Sequence, residues 1–174
     1  MTPKKRRRLT FAVALVAAGG VLAAGIVYEL GQNTEYFRSP SDIAVGRLAK
    51  ERFLATIEPW HGNQVAVYRR DGEAWARQTI DETLADGHTV LTTDLNGDGN
   101  DEIIAGCRGG PRSVYIYSAE DAAGRRWNRQ ILDGDMPAAS CAVGDLNGDG
   151  RPDIACIGSA TGTLKWYENR PPKP

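Results

Sequence analysis

The stretch DLNGDG spans residues 94–99 and returns unchanged at residues 145–150, 51 positions later. Each copy runs on to an acid, giving DLNGDGNDE (94–102) and DLNGDGRPD (145–153). Positions one, three, five and nine all carry side-chain oxygen: Asp94, Asn96, Asp98 and Glu102 in the first copy, Asp145, Asn147, Asp149 and Asp153 in the second. Glycine at position six permits a sharp turn, and the backbone carbonyl of position seven, Asn100 or Arg151, can complete an oxygen shell. Three carboxylates in so short a loop repel one another unless a cation sits between them. A hard ion that accepts six to eight oxygens suits this set, so the loops are expected to hold structural Ca²⁺ rather than Mg²⁺. The competing reading is a plain hairpin turn, because Asn-Gly and Asp-Gly favour positive φ without any metal.

Sequence on either side of the loops repeats as well. WARQTID (75–81) matches WNRQILD (127–133) at an offset of 52, and VAVY (65–68), VYIY (114–117) and LKWY (164–167) recur at offsets of 49 and 50. A period near 50 residues points to propeller blades or a related array. TVLTTD, EIIAG, SVYIYS and WNRQIL read as the four strands of one unit, since short alternating or β-branched runs are separated by Gly, Asn and Asp. The expected fold is therefore all-β: about two and a half four-stranded propeller blades, one partial (53–80), one whole (89–132) and one lacking its outer strand (139–168). A closed propeller needs at least about four blades. Such an array must self-associate to complete the ring, or it is a shortened or recombined relative of a larger propeller.

The repeats, with D-x-[DN]-x-D-G-x-x-[DE] between the first two strands of a unit, resemble the FG-GAP/VCBS family of β-propeller blades over about residues 52–169. That resemblance implies Ca²⁺ coordination by the same loop residues and a role in ligand or protein interaction outside the cytoplasm.

The N-terminal part is of another kind. KKRRR (4–8) precedes LTFAVALVAAGGVLAAGIVY (9–28), long enough to cross a bilayer as a helix. The basic segment 1–8 is expected in the cytoplasm and everything after residue 28 outside it, as a single-pass inner-membrane protein with its C-terminal domain periplasmic or extracellular. A cleaved signal peptide is the alternative. Residues 1–51, and YFRSPSDI (36–43) above all, are similar to the haem chaperones of cytochrome c-type biogenesis, which makes 29–51 an extracytoplasmic linker. That family attaches haem through a His in a Lys-His-Asp-x-x-Tyr context. His61 in PWHGN and His88 in ADGHT do not match it, so no covalent haem is expected.

Charge narrows the partners. Residues 54–174 hold twelve Lys/Arg against eighteen Asp/Glu, an acidic body that suits cations and not nucleic acid. No G-x-S-x-G, HExxH, phosphate loop or CxxC is present, so an enzyme is not expected. Loop positions should gather His61, His88 and Arg108 on the side opposite the acidic loops, as ordinary loop residues or as an anion-binding cluster. Trp75 and Trp127 are expected to pack between blades. Of the three cysteines, Cys107, Cys141 and Cys156, at least one must stay unpaired; Cys141 and Cys156 fall on neighbouring strands and could form a disulfide or stay as buried thiols. Residues 170–174 read as a disordered tail. The sequence thus describes a membrane-anchored Ca²⁺-binding module for a protein or carbohydrate ligand. Haem handling in cytochrome c maturation and a fragment of a propeller lyase are the alternatives.

Overall fold

The computed structural model describes residues 40–171. The proposed membrane helix (9–28), the first half of the YFRSPSDI segment (36–39) and the last three residues of the tail lie outside them, and among the described residues no helix is long and apolar enough to cross a membrane.

Eleven strands form three antiparallel sheets. The first contains β1 (Asp42–Leu48), β2 (Glu51–Glu58), β3 (Gln64–Asp71) and β4 (Ala74–Asp81) in that order. The second contains β5 (Gly87–Thr93), β6 (Glu102–Cys107), β7 (Val114–Ala119) and β8 (Trp127–Asp133). The third has three strands, β9 (Ala138–Gly144), β10 (Asp153–Gly158) and β11 (Leu164–Tyr167). All are sequential meanders, as short connections between strands require.

The second sheet lies between the other two. All six residues of β6 are buried, as in a strand covered on both faces. Side chains alternate across it. Ile103, Ala105 and Cys107 join Phe53, Ala55, Ile57, Val65 and Val67 of the first sheet in one core, while Ile104 joins Ala138, Cys141, Ile154 and Cys156 of the third in another. Each fully buried Ile, Val or Phe contributes roughly 1.5–3 kcal/mol. Two glycines allow the closest approaches: a Cβ at Gly46 would stand 2.2 Å from the Phe53 ring, and one at Gly106 would stand 2.6 Å from the Ala138 methyl.

The innermost strands β1, β5 and β9 are joined through side chains. Val90 N–H donates to Asp42 Oδ2 (2.8 Å), Thr92 Oγ1 donates to the Val45 carbonyl (2.8 Å), and Cys141 N–H donates to Thr89 Oγ1 (3.3 Å).

Two sequence expectations change and one open alternative is resolved. The first unit is not partial: β1 completes it to four strands and falls inside residues 29–51, assigned above to a linker. Asp42, the acid of the YFRSPSDI segment, starts that strand and holds β5. Gly46 and the polar Asp42 and Arg47 hid the strand in the sequence, although Gly46 is what lets Phe53 lie flat across β1. Trp127 does pack between sheets, edge-on to Phe53 with centroids 5.8 Å apart, but Trp75 carries the Arg70 guanidinium 4.5 Å above its ring within its own sheet. The cysteine alternatives resolve to a Cys141–Cys156 disulfide between directly opposed residues of β9 and β10, with Cys107 free and buried.

Candidate functional site

Both acidic loops start one residue after the first strand of a sheet and end on the first residue of the second, so the ladders of β5–β6 and β9–β10 hold positions one and nine. In the first loop, Asp94 Oδ1 accepts from the N–H groups of Gly97 (2.7 Å) and Asp98 (3.1 Å), and Oδ2 from Gly99 (2.8 Å). Gly97 and Gly99 have φ of 77° and 87°, a conformation that a side chain would strain. Asn96 Oδ1 accepts from Asp98 N–H (2.8 Å) and Asp98 Oδ1 from Asn100 N–H (2.7 Å). Glu102 Oε2 accepts from Leu95 N–H (2.9 Å), and Oε1 from Asn96 Nδ2 (3.1 Å). The second loop repeats this pattern: Asp145 accepts from Gly148, Asp149 and Gly150, Asn147 from Asp149, Asp149 from Arg151, and Asp153 from Leu146.

The loops differ in where positive charge comes from. Burial raises the Glu102 carboxyl above the usual range, and the Asp98 and Asp94 charges add to this against the amide hydrogen bonds it accepts. No cationic side chain is paired with any of these three acids among the described residues. In the second loop Arg151 turns back onto Asp149 and its guanidinium pairs with Oδ2. The Arg151 N–H, the Asn147 amide and the Arg151 charge hold Asp149 below the usual carboxylate range. Arg151 therefore does in part what a bound cation would do.

Among the described residues, no three His, Cys, Asp or Glu side chains converge as a metal-ligand group. The carboxylates spend their oxygens on the amides of their own turn. The donor set is nevertheless all oxygen and anionic, and in the first loop it includes a buried carboxylate with no counter-charge, which fits a hard divalent ion. Asp94, Asn96, Asp98, the Asn100 carbonyl and Glu102 could hold it; in the second loop Asp145, Asn147, Asp149, the Arg151 carbonyl and Asp153 would do so in competition with the Arg151 guanidinium.

Residues beyond the turns fasten both loops, the first from the neighbouring sheets, which sequence alone did not indicate. Asn100 Oδ1 accepts from Ala49 N–H (2.7 Å), Asp101 Oδ2 accepts from Arg47 N–H (2.7 Å), and Asp101 N–H donates to the Arg47 carbonyl (2.7 Å), locking the first loop onto the β1–β2 turn. Asn169 N–H donates to Asp153 Oδ1 (2.8 Å), while its Nδ2 donates to the Leu95 carbonyl (2.7 Å) and joins the two loops.

At the opposite strand ends, His61, His88 and Arg108 do come together. Arg108 donates to both oxygens of Asp86 (3.2 and 3.0 Å), and its Nη2 lies 3.1 Å from His61 Nδ1. Since Arg can only donate, His61 Nδ1 is the acceptor. His88 Nδ1 lies 2.6 Å from the Ala139 carbonyl and so donates to it. The rings of His61 and His88 are 5.1 Å apart, and the exposed Trp60 stacks on His61 at 4.7 Å. Asp86 and Trp60 were not singled out from sequence. The Arg108 hydrogen bonds and charge hold Asp86 below the usual range, so this cluster is internally neutralised rather than a free anion cradle.

Similarity to known proteins is partial. The cytochrome c-type biogenesis protein CcmE of Shewanella oneidensis is 38% identical over 47 residues, 27% of this chain and 29% of that protein. The CcmE proteins of Shewanella putrefaciens and of a further Shewanella strain match to the same extent. The chain thus spans under a third of the length of the curated relatives it matches. A family model described as an FG-GAP-like repeat matches residues 94–156, the segment that runs from the first residue of the first acidic loop, through the second loop, to the second cysteine of the disulfide.

Proposed function

We propose that residues 42–169 form three blades of an open FG-GAP-type β-propeller, stiffened by Ca²⁺ in its acidic loops, that serves as a binding module for a protein or carbohydrate ligand outside the cytoplasm. The observation that carries this reading is the pair of loops with the same turn geometry, one of which buries Glu102 beside Asp94 and Asp98 without a counter-charge. A divalent ion there would cancel that repulsion and tie β5 to β6, and through Asn100 and Asp101 to the first sheet. The ligands all come from the protein and no general base stands beside them, so the ion's role is structural and the module is not an enzyme.

Placement outside the cytoplasm rests on the basic residues 4–8 followed by the apolar residues 9–28, and the disulfide accords with an oxidising compartment. A reporter fused after Pro174 that worked only in the cytoplasm would overturn the placement. The similarity to CcmE supports membrane association in the same way but not haem attachment, because both histidines are occupied in the Arg108–Asp86 cluster and at the Ala139 carbonyl. Haem staining after co-expression with the maturation machinery should be negative.

Calorimetric titration of Ca²⁺ into the full chain in detergent tests the central claim. The expected result is binding that disappears in Asp94→Ala/Asp145→Ala, together with a melting temperature lowered by chelator. Absence of both would leave the loops as well-made turns.

A further inference from the structure

Between the second and third sheets lies an open wedge with a cavity of about 530 Å³, walled by Ile116 and Leu132 on one side and Ile154 and Tyr167 on the other. Beside it runs β11, paired only with β10 among the described residues. In the other two sheets the third strand is covered by a fourth of the same design, Arg77-Gln78-Thr79-Ile80-Asp81 on β3 and Arg129-Gln130-Ile131-Leu132-Asp133 on β7. We propose that the edge of β11 that no described strand covers accepts an extended, arginine-bearing peptide strand, whose arginine reaches Asp133 beside this wedge.

The chain shows how such a strand is held. In the second sheet, Arg129 stands opposite Tyr117 in the β7–β8 register, and both reach the acid that ends the fourth strand of the preceding sheet: Tyr117 OH donates to Asp81 Oδ2 (2.8 Å), as does Arg129 Nη1 (2.9 Å). The third sheet has the same acceptor in the same place. Tyr167 OH donates to Asp133 Oδ2 (2.8 Å), and Asp133 is the equivalent of Asp81 in the repeat. With no fourth-strand arginine among the described residues, Lys165 supplies the cation instead, its Nζ 2.7 Å from Asp133 Oδ2. Lys165 is a flexible ammonium with a third of its side chain exposed, and a planar guanidinium arriving on a neighbouring strand can share or displace it. Main-chain pairing along β11 would supply affinity, and the Asp133 contact selectivity. Asn96 and Glu102 of the first acidic loop also line the wedge, but the groups the strand would contact, the β11 backbone and Asp133, are not oxygens of that loop.

The probe is a fluorescein-labelled peptide with this chain's own residues 125–134, RRWNRQILDG, titrated into the full chain in detergent, with binding read by anisotropy and by hydrogen exchange of β11. Saturable binding with slowed exchange across residues 164–167 is expected. Replacing the peptide arginine that corresponds to Arg129 with Ala should weaken it by about tenfold, the loss typical of one charge-assisted hydrogen bond. Because Asp133 changes could disturb the fold, the protein variant is Lys165→Met, which vacates Asp133 and should tighten binding severalfold. No binding at millimolar peptide, equal binding of a scrambled peptide, protection elsewhere than on β11, or weaker binding to Lys165→Met would each overturn the proposal.

Discussion

The two interfaces between sheets solve one problem by different means. Between the first and second sheets the core is wide, with Phe53, Ile57, Val67, Ile103 and Tyr117 all at or below 1% exposure, and Trp127 closes its outer side against Phe53. Between the second and third sheets the core is smaller, its outer side opens into the wedge, and the third sheet carries the only disulfide among the described residues. Apolar contact holds the first interface. The second has a smaller apolar core and the same kind of polar tie, Asp133 with Lys165 and Tyr167 where the first has Asp81 with Arg129 and Tyr117, while the disulfide staples β9 to β10 within the third sheet. Where fewer buried side chains hold a sheet, a cross-link between its own strands offsets part of what burial does not supply.

The sharpest way to break this contrast is to truncate each core. Phe53→Ala should cost about 3–5 kcal/mol in denaturant unfolding, because it removes a buried ring and leaves a cavity under β1. Ile154→Ala in the smaller core should cost about 2–3 kcal/mol, since the open wedge lets the site relax. Equal losses would mean that the interfaces are equivalent. Next in size is the disulfide. With its cysteines 15 positions apart, Cys141→Ser/Cys156→Ser should cost about 3 kcal/mol, and hydrogen exchange should rise in β9–β11 while the first sheet stays protected. Uniform loss of protection would contradict the division.

A third test uses acid. Burial alone would raise Asp81, but hydrogen bonds from Thr83, Tyr117 and Arg129 outweigh it and hold the carboxyl below the usual range. A group with a depressed folded pKa stabilises fully above its unfolded value, and that contribution is lost as the pH falls through the folded value. Asp81→Asn should therefore lower stability at neutral pH by about 1–2 kcal/mol, the arginine being 41% exposed, and flatten the acid limb of the stability profile. Asp133, shifted down by Lys165, Asp135 N–H and Tyr167 against its own burial, should behave in the same way at the other interface. An unchanged acid limb in both variants would show that these anchors carry no weight.

The smallest expected effect separates the two acidic loops. Calcium titration should resolve a tighter site in the first loop and a weaker one in the second, and Arg151→Ala should strengthen the second by less than about 1 kcal/mol, the scale of an exposed ion pair. If Arg151→Ala weakened it, the guanidinium would be supporting the loop rather than competing for Asp149.

The second sheet was fully legible in the sequence. Its four strands lie where TVLTTD, EIIAG, SVYIYS and WNRQIL placed them, since β-branched and aromatic residues alternate there between Gly- and Asp-rich turns. The meeting of His61, His88 and Arg108 followed from loop order alone. The strand β1 was not legible, because Asp42, Gly46 and Arg47 break the apolar alternation, and each has its reason in another sheet or strand: Asp42 in Val90, Gly46 in the Phe53 ring, the Arg47 backbone in Asp101.

By itself, then, the sequence determined the repeat, the strand character of each unit and the spacing of oxygens in the two loops, because these depend on periodicity and on neighbours within a few residues. Only the tertiary structure decided the pairing of Cys141 with Cys156, the return of Arg151 onto Asp149 and the isolation of Glu102 from any cation among the described residues. Each of these depends on which side chains meet from strands distant along the chain or across a turn. That is set by sheet register and packing, which residue types and local spacing do not encode.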